Sequence, residues 1–297
     1  MIPALRPGDK IAILSTARKI TVPEIEVAIR TFENWGLEVV LGQTIGASYH
    51  QFAGDDALRL QDLQQMLNDA SIKAIVCARG GYGTTRIIDR VDFTKFKEHP
   101  KWLVGFSDIT ALHSHIHTLG LESIHAIMPV LFPKAGTADS IETLRLALFG
   151  EELTYTAAPH PFNRSGTGTG SLVGGNLSML HTLTGTRSDV STDDKVLFLE
   201  DLDEYLYHID RMLVHLDRSG KLANLAGLLI GDMSDMKDNA IPFGKTAYEI
   251  ILEHTDKYNY PVSFGFPVGH EPLNLALVCG REAKLEVNEA GAKLVYC

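Results

Sequence analysis

A serine at the predicted junction of a strand and a helix is the residue best placed to do chemistry. Ser107 stands in Val104-Gly-Phe-Ser-Asp-Ile-Thr110, where an apolar run ends at Phe106 and a helical pattern begins directly afterwards. At that junction the hydroxyl projects from the carboxyl edge of a sheet, and the first N–H groups of the helix lie near enough to bind an oxyanion. This is the logic of a nucleophile elbow, although Ile109 replaces the second glycine of G-x-S-x-G. Serine is also a preferred N-cap, and the local sequence alone favours that structural role.

A serine nucleophile requires a base, and the base requires an acid that orients it. Among the 12 histidines of the chain, His270 ends a Gly/Pro-bounded loop, where a rigid backbone can aim the ring. His125 is the second candidate base. Glu200 closes an apolar run, so its carboxylate stands at the predicted end of a strand, with Asp201 and Glu204 as less well-placed alternatives. On spacing alone, this acidic stretch is better explained as a solvated turn.

Two glycine clusters and a pair of histidines offer other kinds of site. Gly80-Gly-Tyr-Gly83 follows a predicted strand, and its backbone N–H groups could bind an anion or a carbonyl oxygen. Gly166-Thr-Gly-Thr-Gly170 lacks both the dinucleotide-binding order and the Walker lysine, so a linker is the better interpretation. His113 and His117 share a face of a predicted helix, but no acidic ligand lies near them, and helix-surface histidines are commoner than metal ligands. We therefore expect no metal site.

The composition is that of an ordinary soluble globular protein. The chain has 297 residues, of which 45% are hydrophobic and 22% charged, which indicates one large or two modest domains. Its net charge of −10 makes nucleic acid an improbable partner. Pro3, Pro7 and Gly8 interrupt the region where a signal peptide needs an apolar run, and no apolar run approaches the ~20 residues of a membrane-spanning helix. The three cysteines have no metal spacing, so we expect a cytoplasmic protein without a membrane partner.

The elements that must position these residues alternate between strands and helices in the first half of the chain. Apolar runs predict strands, and helical spacing predicts helices, over 10–14, 23–35, 37–41, 55–67, 74–78, 102–106 and 109–117 in turn. This alternation indicates a mainly parallel sheet covered on both faces, with its ligand crevice beyond the carboxyl ends of the strands. The chemistry should therefore follow the strands.

A change of composition near residue 157 indicates a domain boundary. The stretch from Ala157 to Gly170 is rich in Pro, Gly, Thr and Ser, and we predict domains over residues 1–164 and 165–297. In the second domain, strands are predicted over 195–199 and 225–230, with a helix over 205–216 between them. The C-terminal region alternates apolar and polar residues around Gly280 and Gly291, which predicts antiparallel hairpins.

A series of short motifs lies in a fixed order along nearly the whole chain. In sequence order they are Pro7-Gly-Asp9, Arg79-Gly-Gly-Tyr-Gly83, Gly105-Phe-Ser-Asp-Ile-Thr110, Gly174-Gly-Asn-Leu177, Leu197-Phe-Leu-Glu-Asp201, Asp210-Arg211, and Gly269-His270 with Asn274. Each motif is weak by itself, but together they resemble the LD-carboxypeptidases. This family of serine peptidases includes muramoyltetrapeptide carboxypeptidases and microcin C7 self-immunity proteins.

The resemblance implies both a fold and a set of functional residues. The fold class is α/β, with an N-terminal flavodoxin-like, glutamine-amidotransferase-like α/β domain and a C-terminal swivelling β/β/α domain. Ser107 matches the nucleophile, Glu200 the orienting acid and His270 the general base. The backbone N–H groups of Asp108 and Gly81 match the oxyanion hole. The resemblance also implies a cytoplasmic homodimer that needs no cofactor.

The expected activity is that of a serine-type LD-carboxypeptidase acting on murein tetrapeptide. It would hydrolyse the L,D-peptide bond to the terminal D-Ala, a reaction of peptidoglycan recycling. One alternative is the cleavage of acyl-sulfamoyl adenylates, as in microcin C7 self-immunity, and another is a catalytically idle, ligand-binding member of the fold. The presence of all three triad residues argues against the idle protein.

The residues that would bind the substrate are less clearly indicated than the triad. Gly80, Arg79 and Arg211 are the expected substrate-binding residues, and Arg79 is the first choice for the substrate carboxylate because it precedes the predicted oxyanion turn. Arg86 is a further candidate, and for any of these arginines pairing with surplus acidic residues is the simpler explanation. The chain departs from the family pattern at Ser15-Thr-Ala-Arg18 and after His125, and these departures bear on substrate preference.

Overall fold

The computed structural model describes residues 2–297, which form two compact units. The first unit contains the residues up to Glu152 together with Leu275–Val278, and the second contains Leu153–Asn274 and Cys279–Cys297. The chain therefore passes between units after Glu152, whereas the sequence places the boundary between residues 164 and 165. The reason is that the strand at Thr154–Ala157 pairs with a C-terminal strand and so belongs to the second unit.

The helices and strands alternate along most of the chain. The strands are β1 (Lys10–Leu14), β2 (Glu38–Leu41), β3 (Ile72–Cys77), β4 (Trp102–Gly105), β5 (Ser123–His125), β6 (Thr154–Ala157), β7 (Gly166–Asn176), β8 (Val196–Leu202), β9 (Gly227–Ser234), β10 (Val262–Phe264), β11 (Leu277–Cys279), β12 (Glu282–Asn288) and β13 (Gly291–Tyr296). The helices are α1 (Val22–Asn34), α2 (Asp56–Asn68), α3 (Thr94–Glu98), α4 (Thr110–Thr118), α5 (Ala138–Phe149), α6 (Leu177–Leu183), α7 (Leu206–Arg218) and α8 (Ala247–Thr255). Within residues 2–297, no helix has the length and apolar character needed to span a bilayer.

The first unit is built on a six-stranded sheet in the order β11-β5-β4-β3-β1-β2. The pairs from β2 to β5 are parallel, as the alternation of strands and helices predicts. The central strands β1, β3 and β4 are buried except at Lys10 and Lys73, as expected for a parallel sheet covered on both faces. Local signals start the helices, since Asp55 accepts a hydrogen bond from Leu58 N at the first turn of α2.

The second unit contains a seven-stranded sheet in the order β10-β9-β8-β7-β12-β13-β6. Its half from β10 to β7 is parallel, and its half from β7 to β6 is antiparallel. Helices α6, α7 and α8 pack their apolar sides into a core with the parallel strands. The predicted α/β fold, with a second, mixed domain after the first, is confirmed.

The glycine-rich run at residues 166–170 is a strand, and its interpretation as a linker is wrong. It forms the first half of β7 and pairs with β12. A Cβ atom on Gly168 would collide with the carbonyl oxygen of Ala226, and one on Gly170 with that of Asp194. The glycines are therefore required by the close approach of a neighbouring backbone rather than by flexibility.

The C-terminal strands also differ from the predicted pair of hairpins. β12 and β13 form the expected antiparallel hairpin before and after residues 289–290. β11, however, joins β5 in the sheet of the first unit and does not pair with β12. The turn at Gly280 instead bonds to β7, with Gly280 N donating to Leu172 O at 2.7 Å. Alternation of apolar residues predicts a strand but does not identify its partner.

Candidate active site

Ser107 occupies a strained turn between β4 and α4. Its φ is +63°, in the left-handed region that non-glycine residues rarely adopt. Phe106 and Asp108 on either side are buried, whereas Ser107 is partly exposed. Among the described residues, its side chain caps neither the helical turn that follows β4 nor α4, because their N-caps are Phe106 and Ile109. Ser107 thus lies just beyond the end of β4, partly exposed and in a strained backbone conformation like that of a nucleophile elbow.

The glycine turn after β3 lies directly against Ser107. A Cβ atom on Gly80 would be 3.2 Å from Cβ of Ser107 and 3.4 Å from the carbonyl oxygen of Phe106. Gly81 and Gly83 have φ values of +110° and +150°, so the path of this turn is accessible only to glycine. Gly80 is buried against the elbow, whereas Gly81 is exposed, so the part of the turn that a ligand can reach lies at Gly81.

The Asp108 side chain ties the elbow to the glycine turn. Its Oδ2 accepts a hydrogen bond from Thr84 N at 2.9 Å. Burial raises the pKa of Asp108, although the hydrogen bonds from Thr84 oppose that shift. Arg59, which is fully buried, donates to the carbonyl of Gly83 at 2.9 Å and fixes the turn from its other side. The backbone N–H of Asp108 lies in the first turn of a helical segment, where N–H groups lack intrahelical partners and can bind an oxyanion.

In the second unit, a buried carboxylate is hydrogen-bonded to an imidazole. Glu200 Oε2 lies 2.7 Å from His270 Nδ1, and the Glu200 side chain is fully buried. Because a carboxylate accepts, His270 Nδ1 carries the proton, and the Nε2 lone pair of the neutral ring is available as a base. Glu200 lies within β8 rather than at its end, opposite Asn176 of β7. A buried carboxylate bound to Nδ1 of an imidazole is the arrangement that the acid and the base have in a Ser-His-acid triad.

The surroundings of His270 favour its protonated form. Burial alone lowers the pKa of His270, but attraction to Glu200 and the hydrogen bond that the ring donates to that carboxylate raise it by more, with Asp201 and Asp232 adding to the effect. The pKa of His270 therefore lies above its ordinary value of 6.5. The same negative charges would stabilise the imidazolium that forms once the ring has accepted a proton from a serine.

Comparison with known proteins identifies the family of the chain. Residues 11–126 match the model of the LD-carboxypeptidase N-terminal domain, and residues 169–285 match that of the LD-carboxypeptidase C-terminal domain. The chain belongs to the LD-carboxypeptidase family. The predicted enzyme class, a carboxypeptidase and so a hydrolase, is confirmed by this membership.

Several relatives of this LD-carboxypeptidase are similar over nearly the full length of both chains. A probable murein peptide carboxypeptidase of Bacillus subtilis is 36% identical over 97% of this chain and 92% of its own. The crystal structure of muramoyltetrapeptide carboxypeptidase from Oxalobacter formigenes matches with a TM-score of 0.86 and 26% identity, over 97% of this chain and 98% of that one. The microcin C7 self-immunity protein MccF, solved with aspartyl sulfamoyl adenosine, shares the fold with a TM-score of 0.87 at 19% identity, over 99% and 97% of the two chains.

The other predicted acids of this LD-carboxypeptidase have structural partners. Asp201 accepts hydrogen bonds from Asn176 Nδ2 at 2.8 Å and from Ser178 N at 2.9 Å, so it fixes the start of α6. Burial raises the pKa of Asp201 to about 6, with the Glu200 charge as the second cause. Glu204 lies 2.7 Å from His208 on α7. The structure therefore brings Glu200, among the three predicted acids, to His270.

The predicted substrate-binding arginines lie in different surroundings. Arg79 is half-buried, and its Nη1 donates to the carbonyl of Lys19 at 3.3 Å. Arg86 forms an ion pair with Asp56 at 2.8 Å, as the simpler explanation predicts. Arg211 lies on the exposed side of α7 with its guanidinium 5.5 Å from the ring centre of Tyr207. Gly80 and Arg79 are thus next to the elbow of the first unit, and Arg211 belongs to the second unit.

Two of the other histidines considered from the sequence, His113 and His125, are buried in the first unit. His113 bonds through its two ring nitrogens to Ser123 Oγ and to the carbonyl of Gly105, each at 2.8 Å. Burial lowers the pKa of His113 to about 4, so the ring is neutral. His125 in β5 packs against Phe106, with 5.7 Å between ring centres. His113 and His125 therefore contact β4, β5 and Phe106, which precede or neighbour the elbow in the first unit.

Asp232 is a residue of the site that the sequence analysis missed. The register between β8 and β9 shifts at Glu200. Gly231 and Asp232 of β9 together face this one residue of β8, which makes a β-bulge. Asp232 N donates to the carbonyl of Val268 at 2.9 Å, and its Oδ2 accepts from Glu271 N at 3.3 Å. Asp232 thus holds the loop on both sides of His270, and bulges of this kind re-aim residues near active sites. A carboxylate in the apolar run of β9 was the available signal.

Proposed function

We propose that this protein is a cytoplasmic serine LD-carboxypeptidase that hydrolyses the L,D-peptide bond to the terminal D-Ala of murein tetrapeptide, as part of peptidoglycan recycling. The observation that carries the proposal is the pairing of His270 with the buried Glu200 in one unit, together with the strained, partly exposed Ser107 in the other. The relative named for muramoyltetrapeptide hydrolysis covers both units, which supports a common substrate class.

The proposed reaction begins with attack by Ser107 Oγ on the scissile carbonyl carbon. His270 Nε2 accepts the serine proton, and Glu200 stabilises the resulting imidazolium through Nδ1. The N–H groups of Asp108 and Gly81 bind the oxyanion of the tetrahedral intermediate. As the C–N bond breaks, His270 returns the proton to the amine of the leaving D-Ala, and a serine ester remains.

The second half of the reaction regenerates the enzyme. A water molecule gives a proton to His270 Nε2 and attacks the ester carbonyl, and the new tetrahedral intermediate is stabilised by the same N–H groups. The proton then returns from His270 to Ser107 Oγ as the shortened peptide leaves. His270 thus makes every proton transfer of the cycle, and its raised pKa suits both accepting and donating a proton.

Further parts of the proposal concern substrate contacts and assembly. Gly80 and Arg79 lie beside the elbow and are proposed to contact the peptide, and Arg211 is proposed as a contact from the second unit. We also propose that the protein functions as a homodimer, which sedimentation of the purified chain tests directly. A single monomeric species at all concentrations would contradict that part without affecting the catalytic residues.

Product analysis tests the proposed reaction. Purified protein incubated with a murein tetrapeptide should release D-Ala and leave the tripeptide, as seen by mass spectrometry, and the Ser107→Ala variant should not. A serine-directed phosphonate should add to a peptide that contains Ser107. Release of an internal fragment, or D-Ala release that persists in Ser107→Ala, would contradict the assignment.

The same assay with an acyl-sulfamoyl adenylate tests the alternative activity. Cleavage of the adenylate with no release of D-Ala would replace the proposed substrate, whereas cleavage of neither compound together with unaltered ligand binding would indicate a catalytically idle protein. Because the likeness to MccF is at 19% identity, it supports the fold and gives no preference for this substrate.

A further inference from the structure

The side chain of Arg18 lies on the glycine turn beside the proposed nucleophile. A Cβ atom on Gly81 would lie 2.7 Å from Cγ of Arg18 and 3.3 Å from its Nε, so the aliphatic part of Arg18 covers Gly81. The preceding residue, Gly80, is the one that abuts Ser107. Successive residues are about 3.8 Å apart, so Arg18 lies one residue further along the turn than the contact with Ser107.

The backbone that carries Arg18 is fixed by hydrogen bonds. The carbonyl of Arg18 accepts from Ser15 Oγ at 2.7 Å, and Lys19 N donates to the carbonyl of Gln51 at 2.9 Å. A ligand that binds Arg18 therefore does not have to order the loop, which lowers the entropic cost of binding.

Arg18 is exposed, and among residues 2–297 its guanidinium has no ion-pair or hydrogen-bond partner. The neighbouring arginines differ in this respect. Arg59 and Arg86 bind Asp56, and Arg79 donates to the carbonyl of Lys19. In a chain with a net charge of −10, an unpaired cation next to a nucleophile is available to an anionic ligand.

We propose that Arg18 binds the terminal carboxylate of the peptide substrate. The terminal carboxyl carbon lies three covalent bonds beyond the scissile carbonyl carbon, a separation of roughly 3–3.7 Å that is comparable to the step from Gly80 to Gly81. A planar guanidinium presents two parallel N–H groups to the two carboxylate oxygens. This inference rests on the proposed function, and it explains how cleavage is restricted to the chain end, because internal residues have no carboxylate at that position.

The test compares a tetrapeptide ending in D-Ala with the same peptide bearing a C-terminal amide. In the unaltered protein, kcat/KM should be higher for the acid than for the amide. Arg18→Ala should lower kcat/KM for the acid roughly 10- to 100-fold, the range of a lost charged hydrogen bond, and leave the amide nearly unchanged. Arg18→Lys should be intermediate because it keeps the charge without the fork. Arg30→Ala is the matched control, since Arg30 is exposed on α1 and pairs with Glu26.

Binding to a Ser107→Ala background separates failure of this inference from failure of the proposed function. That variant should bind the acid more tightly than the amide, and addition of Arg18→Ala should abolish the difference. If Ser107→Ala binds neither peptide, the proposed substrate is wrong. If it binds the acid in preference to the amide with or without Arg18, or if Arg18→Ala weakens both peptides equally, the substrate stands and the role of Arg18 is wrong.

Discussion

At the scale of single residues, charge around one imidazole controls the chemistry that the site can perform. His270 is held against Glu200 at 2.7 Å, and Asp201 and Asp232 add negative charge from the same unit. These carboxylates outweigh the burial that would otherwise keep the ring neutral. His270 is therefore a stronger base than an ordinary buried histidine, at the cost of being protonated over a wider range of pH.

The first prediction concerns the pH dependence of turnover. A base must be neutral to accept a proton, so kcat/KM should fall as pH falls through the pKa of His270, which lies above 6.5. Glu200→Gln removes the nearest negative charge, so the imidazolium is less stable and the acid limb should move to lower pH while the maximum rate decreases. Rate profiles from pH 5 to 9 measure both effects. If the acid limb of the Glu200→Gln profile lies at the same pH as in the unaltered protein, a group other than His270 titrates there.

At the scale of elements, a bulge in β9 and a loop after β10 together aim the base. Gly231 and Asp232 face one residue of β8, and this irregularity directs Asp232 to the loop that contains His270. Gly269 has a φ of +141°, and a Cβ atom there would lie 2.9 Å from Cβ of Asp232. The loop can therefore approach β9 only because residue 269 is glycine.

The second prediction tests Asp232 as a positioning residue. Asp232→Ala removes the acceptor for Glu271 N, so His270 should be less well held and kcat should fall roughly 10- to 100-fold, the range of a misplacement of about 1 Å, with KM little changed. Asp232→Asn keeps an acceptor and should recover most of kcat, but loss of the charge should shift the acid limb to lower pH.

The control for Asp232 is Asp203→Asn, since Asp203 follows β8, is exposed and pairs with Lys237. Its kcat and pH profile should match those of the unaltered protein. Titration of the His270 ring by NMR gives a readout that does not depend on turnover. Equal kcat losses in Asp232→Ala and Asp232→Asn, with an unmoved His270 pKa, would show that Asp232 is only structural.

The third prediction concerns the glycine-rich half of β7. In Gly168→Ala the new methyl group meets the carbonyl oxygen of Ala226, and overpacking of this kind costs about 1–3 kcal/mol of unfolding free energy. Thr167→Ala, at an exposed neighbouring position in the same strand, should change stability by less than about 0.5 kcal/mol. Chemical denaturation measures both variants. If Gly168→Ala is as stable as Thr167→Ala, the glycines are not required by close packing.

At the scale of the whole molecule, the proposed catalytic residues come from two units with separate sheets. The elbow, the glycine turn and Arg18 belong to the first unit, whereas Glu200, His270 and Asp232 belong to the second. The chain also returns to the first unit at Leu275–Val278, directly after the His270 loop. Catalysis by one triad requires that both units contribute to a single reaction.

The fourth prediction tests this joint action. Ser107→Ala and His270→Ala should each lower kcat at least ~1000-fold, and the double variant should be no slower than the worse single variant, because residues that act in one step are not additive. Circular dichroism should show folded protein in every case. Additive losses would mean that the two residues act independently. If His270→Ala keeps most of its activity while His125→Ala loses it, the base is wrongly assigned.

The sequence by itself determined the local features of this protein. The apolar run before Ser107, the glycines at 80–83 and the helical pattern after Ile109 are short-range signals, and the structure has the predicted strand, turn and helix there. The order of the motifs along nearly the whole chain identified the family. Most predicted elements of the first unit differ from the observed ones by only a residue or two at their ends.

Tertiary structure alone decided which strands pair and which side chains meet. Period-two alternation predicts β11 but gives no information on which sheet it joins, and a glycine run looks the same whether it is a linker or a strand pressed against another backbone. Likewise, Glu200, Asp201 and Glu204 are equivalent as an acidic stretch until the fold buries Glu200 and brings His270 to it from 70 residues away. Tertiary contacts also distinguish three further residues. Arg86 is ion-paired with Asp56, Arg18 has no such partner among residues 2–297, and Asp232 binds the loop that contains His270. Pairing energies and burial depend on contacts between distant segments, and local sequence does not contain those contacts.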